Sequence, residues 1–389
     1  MPILKNSRGK FFHVHKMPSD RAFWLHFFDR MGKMNLVPHH HRRALESWKP
    51  ERSNCPELTY MIEGFIARIP GEWQATARNL FVGRVMAADI NAKAWTERQA
   101  GIIEINLQYT WALSAYVTTF DEVLGTLRHL LNNATEGAEL ETDQLLENLN
   151  RRLRHPWEQL DLSRAQWRDP RLLGSGDISL LEATAPERIG LQAEVVSACE
   201  EFILAHELAH HLLGHLSKHP GKGNARKVVT DLLDRSDLLG LRTKLNTNQK
   251  QEIDADVLAF ALVADCIERA PTHEGLYRAI LASIISLVTL AHVQDSWFEI
   301  EPEASHPGFL ERFTALTKLT KLLATGMPIG PSGDHPLDAL AQLQTFAGIA
   351  YTSWANKNAV PPAKQLGILS IANFLMDRRE QLMQEISTD

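Results

Sequence analysis

Five of the chain's seventeen histidines lie within fifteen positions, in the segment AHELAHHLLGHLSKH from Ala205 to His219. His206, Glu207 and His210 fit the pattern H-E-x-x-H. On a helix, a separation of four residues puts two imidazoles about one turn apart on the same face, so both can bind one metal ion. The carboxylate of Glu207 can take a proton from a water molecule, which is the chemistry of metal-assisted hydrolysis.

A long helix is predicted to position this motif, from about Gln192 to Ser217, with Pro220 ending the pattern. One stripe at helical spacing carries Val196, Cys199, Phe202, Ile203, His206, His210 and Leu213. The two histidines of the motif therefore face inward, where a dry pocket can form. The other three histidines repeat on a different face, and we interpret His211, His215 and His219 as surface or second-layer residues.

A catalytic zinc site keeps three protein ligands and an open position for water, so one ligand is still missing. A scheme with Gly three residues and His six residues after the second histidine fails, because Leu213 and Leu216 stand there. A carboxylate from a later helix fits better, and the segment QEIDADVLAFALVADC supplies Glu252. Asp256 follows one turn later and can accept the second N–H of a metal-bound imidazole. Acidic residues at a helix start also suit the helix dipole, which is the structural alternative.

HELAHHLLGH followed by EIDAD resembles the motifs of the gluzincin metallopeptidases, in particular the branch of the CAAX prenyl proteases and heat-shock membrane proteases. A third segment, SHPGFLERF, is similar to the HP…ER segment of that branch and contains His306 and Arg312. The resemblance covers about 190–320. It implies a zincin-like catalytic core, peptide hydrolysis with Glu207 as general base, and either His306 or Arg312 stabilising the oxyanion of the tetrahedral intermediate.

In such enzymes an edge strand upstream of the zinc helix holds the substrate backbone by strand addition. The segment GIIEINLQYTW predicts a short strand that closes at Asn106, because Gly101 is followed by β-branched isoleucines. The resemblance therefore implies that Ile103, Ile105 and Asn106 belong to the substrate-binding strand. An ordinary structural strand is the alternative.

No membrane-spanning segment is predicted. The uncharged, strongly apolar run from Ala279 to Gln294 has 16 residues, whereas a spanning helix needs roughly 20, so we interpret it as a buried core helix. The N-terminal residues offer no secretion signal, and three scattered cysteines are typical of reduced thiols, so we expect a cytoplasmic protein. Here the chain departs from the membrane-embedded branch and resembles the soluble gluzincins of bacterial regulation and phage exclusion.

The charge distribution indicates which binding partners to expect. A net charge of −6 favours neither nucleic acid nor an anionic membrane. The first fifty residues, in contrast, hold ten Lys and Arg against three Asp and Glu, plus six histidines that include His39, His40 and His41. This region is either a solvated basic face or a binding site for an acidic partner.

Strands are scarce, so we expect a mainly α fold with a small β element. Four regions are predicted: a basic, His-rich N-terminal region of short helices and loops (1–75), a strand plus helices (76–170), a zinc metallopeptidase core (171–320) and a C-terminal helical region (321–389). The predicted function is a soluble zinc endopeptidase acting on a protein or peptide. The alternative is a metal-stabilised regulatory or interaction protein, for which the intact Glu207 would be superfluous.

Overall fold

The computed structural model describes residues 2–87, 90–97, 100–134, 186–216, 224–294, 296–297, 307–330 and 335–357. The helices are α1 (Pro2–His15), α2 (Phe23–Arg30), α3 (His39–Ser47), α4 (Pro56–Arg68), α5 (Gly71–Arg78), α6 (Leu107–Ala134), α7 (Pro186–Leu212), α8 (Ala225–Arg235), α9 (Leu239–Thr243), α10 (Thr247–Val263), α11 (His273–Gln294), α12 (Phe309–Ala324) and α13 (Pro336–Lys357). The strands are β1 (Leu80–Val85), β2 (Ala92–Glu97) and β3 (Ala100–Asn106). The predicted mainly α fold with a small β element is confirmed, as are the short helices of the N-terminal region.

The three strands form one sheet in the order β1-β3-β2. β3 pairs in parallel with β1 and in antiparallel with β2, so both of its sides are occupied. The strand predicted to close at Asn106 is confirmed, but its assignment as an edge strand is wrong. Ile103, Ile105 and Asn106 lie in the central strand, whose backbone groups already pair with the neighbouring strands. Among the described strands, β1 and β2 form the two edges of the sheet, one on each side of β3.

The two faces of the sheet pack against different layers, because alternate residues of a strand point to opposite sides. On one face, Phe11 and Phe12 of α1 form a small apolar cluster with Phe81, Val85 and Ile102. This approach is close: a Cβ added at Gly83 would lie 2.0 Å from the ring of Phe11. The opposite face belongs to the large core around α7. The sheet is therefore held between α1 and the motif helix.

A buried ion pair fixes the sheet to α7. Arg84 of β1 donates from Nη1 to Glu200 Oε1 at 2.8 Å and from Nη2 to Glu200 Oε2 at 3.1 Å. Their side chains are 2% and 7% exposed. Asn54 accepts the backbone N–H of Arg84 at 2.7 Å. A bidentate arginine–carboxylate pair has a defined geometry as well as charge, so it sets the position of α7 relative to the sheet.

The helix α11 contains the long uncharged run. Most of its residues from Leu276 to Val293 are buried, which confirms the predicted core helix. Within the described residues, α11 is the one helix long and apolar enough to cross a membrane, and 78% of its apolar window is buried inside the protein.

The motif helix ends earlier than predicted, at Leu212 rather than near Ser217. Gly214 adopts φ +70°, its N–H donates to the carbonyl of His211, and the N–H of His215 donates to the carbonyl of His210. These are the two hydrogen bonds of a Schellman motif, for which glycine is the preferred residue. The helix therefore stops at Gly214, well before Pro220.

The next predicted helix, Asn248 to Arg269, runs from Thr247 to Val263. Its end is another left-handed turn, because Asp265 has φ +54° and the N–H of Cys266 donates to the carbonyl of Ala261 at 3.0 Å. Aspartate tolerates this conformation better than most non-glycine residues, but it is a weak stop signal in a sequence. The run of apolar residues up to Cys266 therefore predicts a helix that extends further than the one observed.

The helix α10 begins with a capping box, which fixes its first turn ahead of Glu252 and Asp256. Asn246 Oδ1 accepts the N–H of Gln249 at 2.9 Å, and Gln249 Oε1 accepts the N–H of Asn246 at 3.1 Å.

Asn246→Ala is therefore expected to lower the free energy of unfolding of the metal-free protein by about 1 kcal/mol, the usual effect of losing an N-cap side chain. Urea denaturation measures it. Thr247→Ala, at the exposed next position, is the matched control and should change stability by less than about 0.5 kcal/mol. Equal effects of the two substitutions would contradict a role of the cap.

The largest cluster of buried apolar side chains contains residues from Phe23 to Tyr351 and so includes members of all four predicted regions. The region boundaries stay a prediction. Of the helices predicted for the second region, the part beyond Ala134 lies outside the described residues.

Candidate metal centre

Three side chains predicted as metal ligands converge between α7 and α10. His206 Nε2 lies 3.2 Å from His210 Nε2 and 3.2 Å from Glu252 Oε2, and His210 Nε2 lies 3.5 Å from Glu252 Oε1. Tetrahedral ligands at zinc bond lengths of 2.0–2.2 Å are about 3.3–3.6 Å apart. The spacing of the three donor atoms therefore fits a zinc ion. Within the part of the chain that the structure describes, this is the one cluster of such donors with metal-binding spacing.

Asp256 lies beside Nδ1 of His206, the ring nitrogen that does not face the other two ligands. Its Oδ1 lies 2.9 Å from His206 Nδ1, and the residue is fully buried. Arg312 of α12 donates to both oxygens, from Nε at 2.7 Å and from Nη2 at 2.6 Å. Although burial alone would raise the pKa of Asp256, the Arg312 guanidinium and His206 hold it below its ordinary value. Asp256 is thus an ionised carboxylate next to His206 Nδ1.

The electrostatic environment differs among the three ligand residues. Burial by itself lowers the pKa of His206, but Asp256 and Glu252 outweigh burial and raise it to about 10. Burial also opposes ionisation of Glu252, yet the two histidines and Arg312 keep its pKa below the ordinary value. Burial and the neighbouring His206 lower the pKa of His210 to about 3, so His210 is a neutral imidazole beside an ionised carboxylate.

Glu207 lies beside the ligands rather than among them. It is 8% exposed, and burial raises its pKa to about 7 against the opposing effect of His206. Its carboxylate accepts a hydrogen bond from the backbone of Ala94 in β2. The carboxylate is thus aimed at the space between the metal ligands and the edge strand.

The remaining histidines of the segment separate into different environments. His215 Nδ1 lies 3.1 Å from His210 Nδ1, with ring centroids 5.1 Å apart. His211 Nε2 lies 3.2 Å from the carbonyl oxygen of Ile102 in β3. Both are second-layer contacts, one of the two positions that the sequence predicts for them. Burial lowers the pKa of His211 and of His215 to about 4. His219 lies outside the described residues.

A cavity of about 440 Å³ opens over the ligands. Glu207 lines this cavity, as do residues 91–94, which include the first residues of β2. The apolar part of the lining consists of Phe202, Ile203, Leu287, Leu290, Ala291 and Phe309. The cavity has room for a short peptide segment with an apolar side chain.

Other predicted site residues are placed differently. His306 lies outside the described residues, whereas the next residue, Pro307, lines the cavity. Arg312 lines the cavity as well, but the hydrogen bonds that it donates go to Asp256. Ile103, Ile105 and Asn106 are not among the cavity residues.

Sequence reasoning missed the strand that does line the cavity, β2. In its sequence, AKAWTE, only the first three residues alternate between small and polar, and burial falls from Ala92 to Glu97. The segment is short and few of its residues are β-branched, so it carries little signal of a strand. Tyr109 at the cavity wall was also missed; its hydroxyl donates to the carbonyl oxygen of Ser286 at 3.4 Å.

Comparison with known protein families gives one match. The profile described as peptidase U49 matches residues 102–327, more than half of the chain, and this span contains the three donor residues, Glu207, Asp256 and Arg312. No curated protein and no solved structure matches the chain.

Proposed function

The chain belongs to the peptidase U49 family, and we propose that it hydrolyses peptide bonds as a zinc-dependent endopeptidase of the gluzincin type. The observation that carries this proposal is the convergence of His206, His210 and Glu252 at zinc-ligand spacing, with Glu207 next to them in the lining of a cavity. Structural zinc sites are closed by four protein ligands. Three ligands and an adjoining cavity favour a catalytic site instead.

Each residue has a separate role in the proposed reaction. When bound there, zinc supplies Lewis acidity that polarises the scissile carbonyl and makes a water molecule more acidic. Glu207 takes the proton of the attacking water and passes it to the leaving amine nitrogen. Asp256, held by Arg312, keeps a proton on His206 Nδ1, so that Nε2 is left as the donor atom. We assign Arg312 to this positioning role rather than to the oxyanion.

The substrate backbone is proposed to bind along β2. One side of β2 pairs with β3, and the backbone of Ala94 reaches Glu207 on the other side. A peptide that adds to this free side as a further strand would place a carbonyl near Glu207. This replaces β3 as the substrate-binding strand.

Ala94→Pro tests the contact between β2 and the general base. Proline removes the N–H that Glu207 accepts but is tolerated on an edge strand where no neighbouring strand needs that N–H. A hydrogen bond to a charged group is worth about 1.5–3 kcal/mol, so activity should fall roughly 10- to 100-fold with zinc content unchanged. Ala94→Ser keeps the N–H and should keep the activity. A loss of equal size in Ala94→Ser would contradict this assignment.

The experiment that tests the proposed function compares zinc content with cleavage of a proteome-derived peptide library. Zinc-loaded protein should cleave a subset of the peptides, and cleavage should require Glu207. A protein that holds one zinc ion and cleaves no peptide in the library would favour the alternative, a metal-stabilised regulatory protein.

Two further proposals concern partner and compartment. The helix α3 buries no residue and presents His39, His40, His41, Arg42 and Arg43, which supports a surface for an acidic partner. The three cysteines are free thiols, which agrees with the cytoplasm as the proposed compartment.

A further inference from the structure

We propose that His215, which is not one of the three proposed ligands, positions His210 for metal binding. It does so by accepting a hydrogen bond from the ring N–H of His210. The inference rests on the proposed function, since it concerns the same metal centre.

The backbone turn after α7 brings the two rings together. In a continuous helix, five residues span about 500°, so His215 would lie roughly 140° around the axis from His210. The left-handed conformation of Gly214 reverses the chain instead, and the N–H of His215 donates to the carbonyl of His210 at 3.0 Å. The imidazole of His215 is thereby placed against that of His210, with an interplanar angle of 71°.

The two nitrogens of His210 face different partners. Nε2 points at the ligand centre, 3.2 Å from His206 Nε2 and 3.5 Å from Glu252 Oε1. A neutral imidazole that binds a cation through Nε2 carries its proton on Nδ1. That Nδ1 lies 3.1 Å from His215 Nδ1, so His210 donates and His215 accepts. His215 must then carry its own proton on Nε2.

The two ligand histidines are thus supported by different chemistry. Nδ1 of His206 lies 2.9 Å from the buried carboxylate of Asp256, whereas Nδ1 of His210 lies 3.1 Å from the imidazole of His215. Outer partners of this kind fix the tautomer and the ring orientation of a ligand, and their loss usually weakens metal binding 10- to 100-fold.

Zinc affinity, measured by competition with a chelator, tests the proposal without reference to catalysis. His215→Leu and His215→Ala remove the acceptor and should weaken zinc binding roughly 10- to 100-fold. His215→Asn keeps an oxygen acceptor near the position of Nδ1 and should weaken binding less than tenfold. His211→Ala is the matched control, because His211 contacts the carbonyl of Ile102 and no ligand; its zinc affinity should equal that of the parent protein.

Melting temperatures separate positioning from a purely structural role. His215→Leu should melt close to the parent protein without metal, and zinc should raise its melting temperature less. A variant that melts at a lower temperature without metal but binds zinc as tightly as the parent would assign His215 to the fold alone and overturn the proposal. The proposal is also overturned if His215→Asn binds zinc as weakly as His215→Leu. If His215→Leu does not fold, His215→Ala decides in the same way.

The outcomes also distinguish this inference from the proposed function. A parent protein that holds no zinc overturns both. If the parent binds zinc and His206→Ala loses it, while the His215 variants bind normally, only the role of His215 is overturned.

Discussion

Glu207→Gln is expected to lower peptide hydrolysis at least about a hundredfold while zinc stays bound, because general-base catalysis typically contributes 10²–10⁴-fold. Glutamine keeps the shape of the side chain and an oxygen that can accept the hydrogen bond from Ala94. It cannot take the proton of the attacking water. The loss should appear in kcat with little change in KM, since the proton is transferred only in the transition state.

The measurement is cleavage of library peptides by parent and variant at equal zinc content. Glu194→Gln makes the same chemical change at an exposed position earlier on α7 and should have no effect. Near-parental cleavage by zinc-loaded Glu207→Gln would remove this carboxylate from the mechanism.

The second large effect is on the metal itself. His210→Ala is expected to lose most of the zinc, because two ligands cannot hold the ion as three do. Glu252→Gln should cause the second-largest loss of zinc, since Glu252 approaches both histidine Nε2 atoms and is the charged ligand. Asp256→Asn should keep near-normal stoichiometry at saturating zinc and weaken affinity roughly 10- to 100-fold, because the contact of Asp256 with His206 is at Nδ1 and not at Nε2, the nitrogen that faces the other ligands.

Elemental analysis and chelator competition measure the order of these losses. Asp254→Asn is the matched control, because Asp254 lies between the other two acidic residues on α10 and pairs with Arg242 at 2.8 Å instead of facing the ligands. If Asp256→Asn proved more damaging than Glu252→Gln, the assignment of the third ligand would be reversed. Protein that holds no transition metal, even after zinc is added, would remove the site altogether.

Local spacing predicted which of the proposed donors share a helix face, and the resemblance to the gluzincins indicated Glu252 as the third ligand. His206 and His210 are one turn apart, and Glu252 and Asp256 are one turn apart on the next long helix, so helical periodicity alone places each pair on one face. That the two faces meet depends on the packing of α10 against α7, for which the motif pattern is only an indirect sign.

Long-range pairing was beyond reach of the same reasoning. The segment from Ile102 to Asn106 has the composition of a strand. Its place in the sheet depends on pairing with Leu80–Val85 and Ala92–Glu97. The residues of one strand do not show which strands lie beside it. The partner of Arg312 is likewise set by tertiary packing, since it lies 56 residues from Asp256. The ends of α7 and α10 depended on left-handed turns at Gly214 and Asp265, and only the glycine is a strong signal.

The order of the sheet also limits how this peptidase can be divided. The span matched by the family profile begins at Ile102, inside the central strand, whereas both neighbours of that strand and the covering helix α1 come before it. A chain cut at that boundary would keep every proposed ligand but leave β3 with two unpaired sides and a bare apolar face. Unpaired strands of this kind join to one another and aggregate. The segment matched by the profile and the residues before it are therefore a single unit of folding, although the profile matches only one of them.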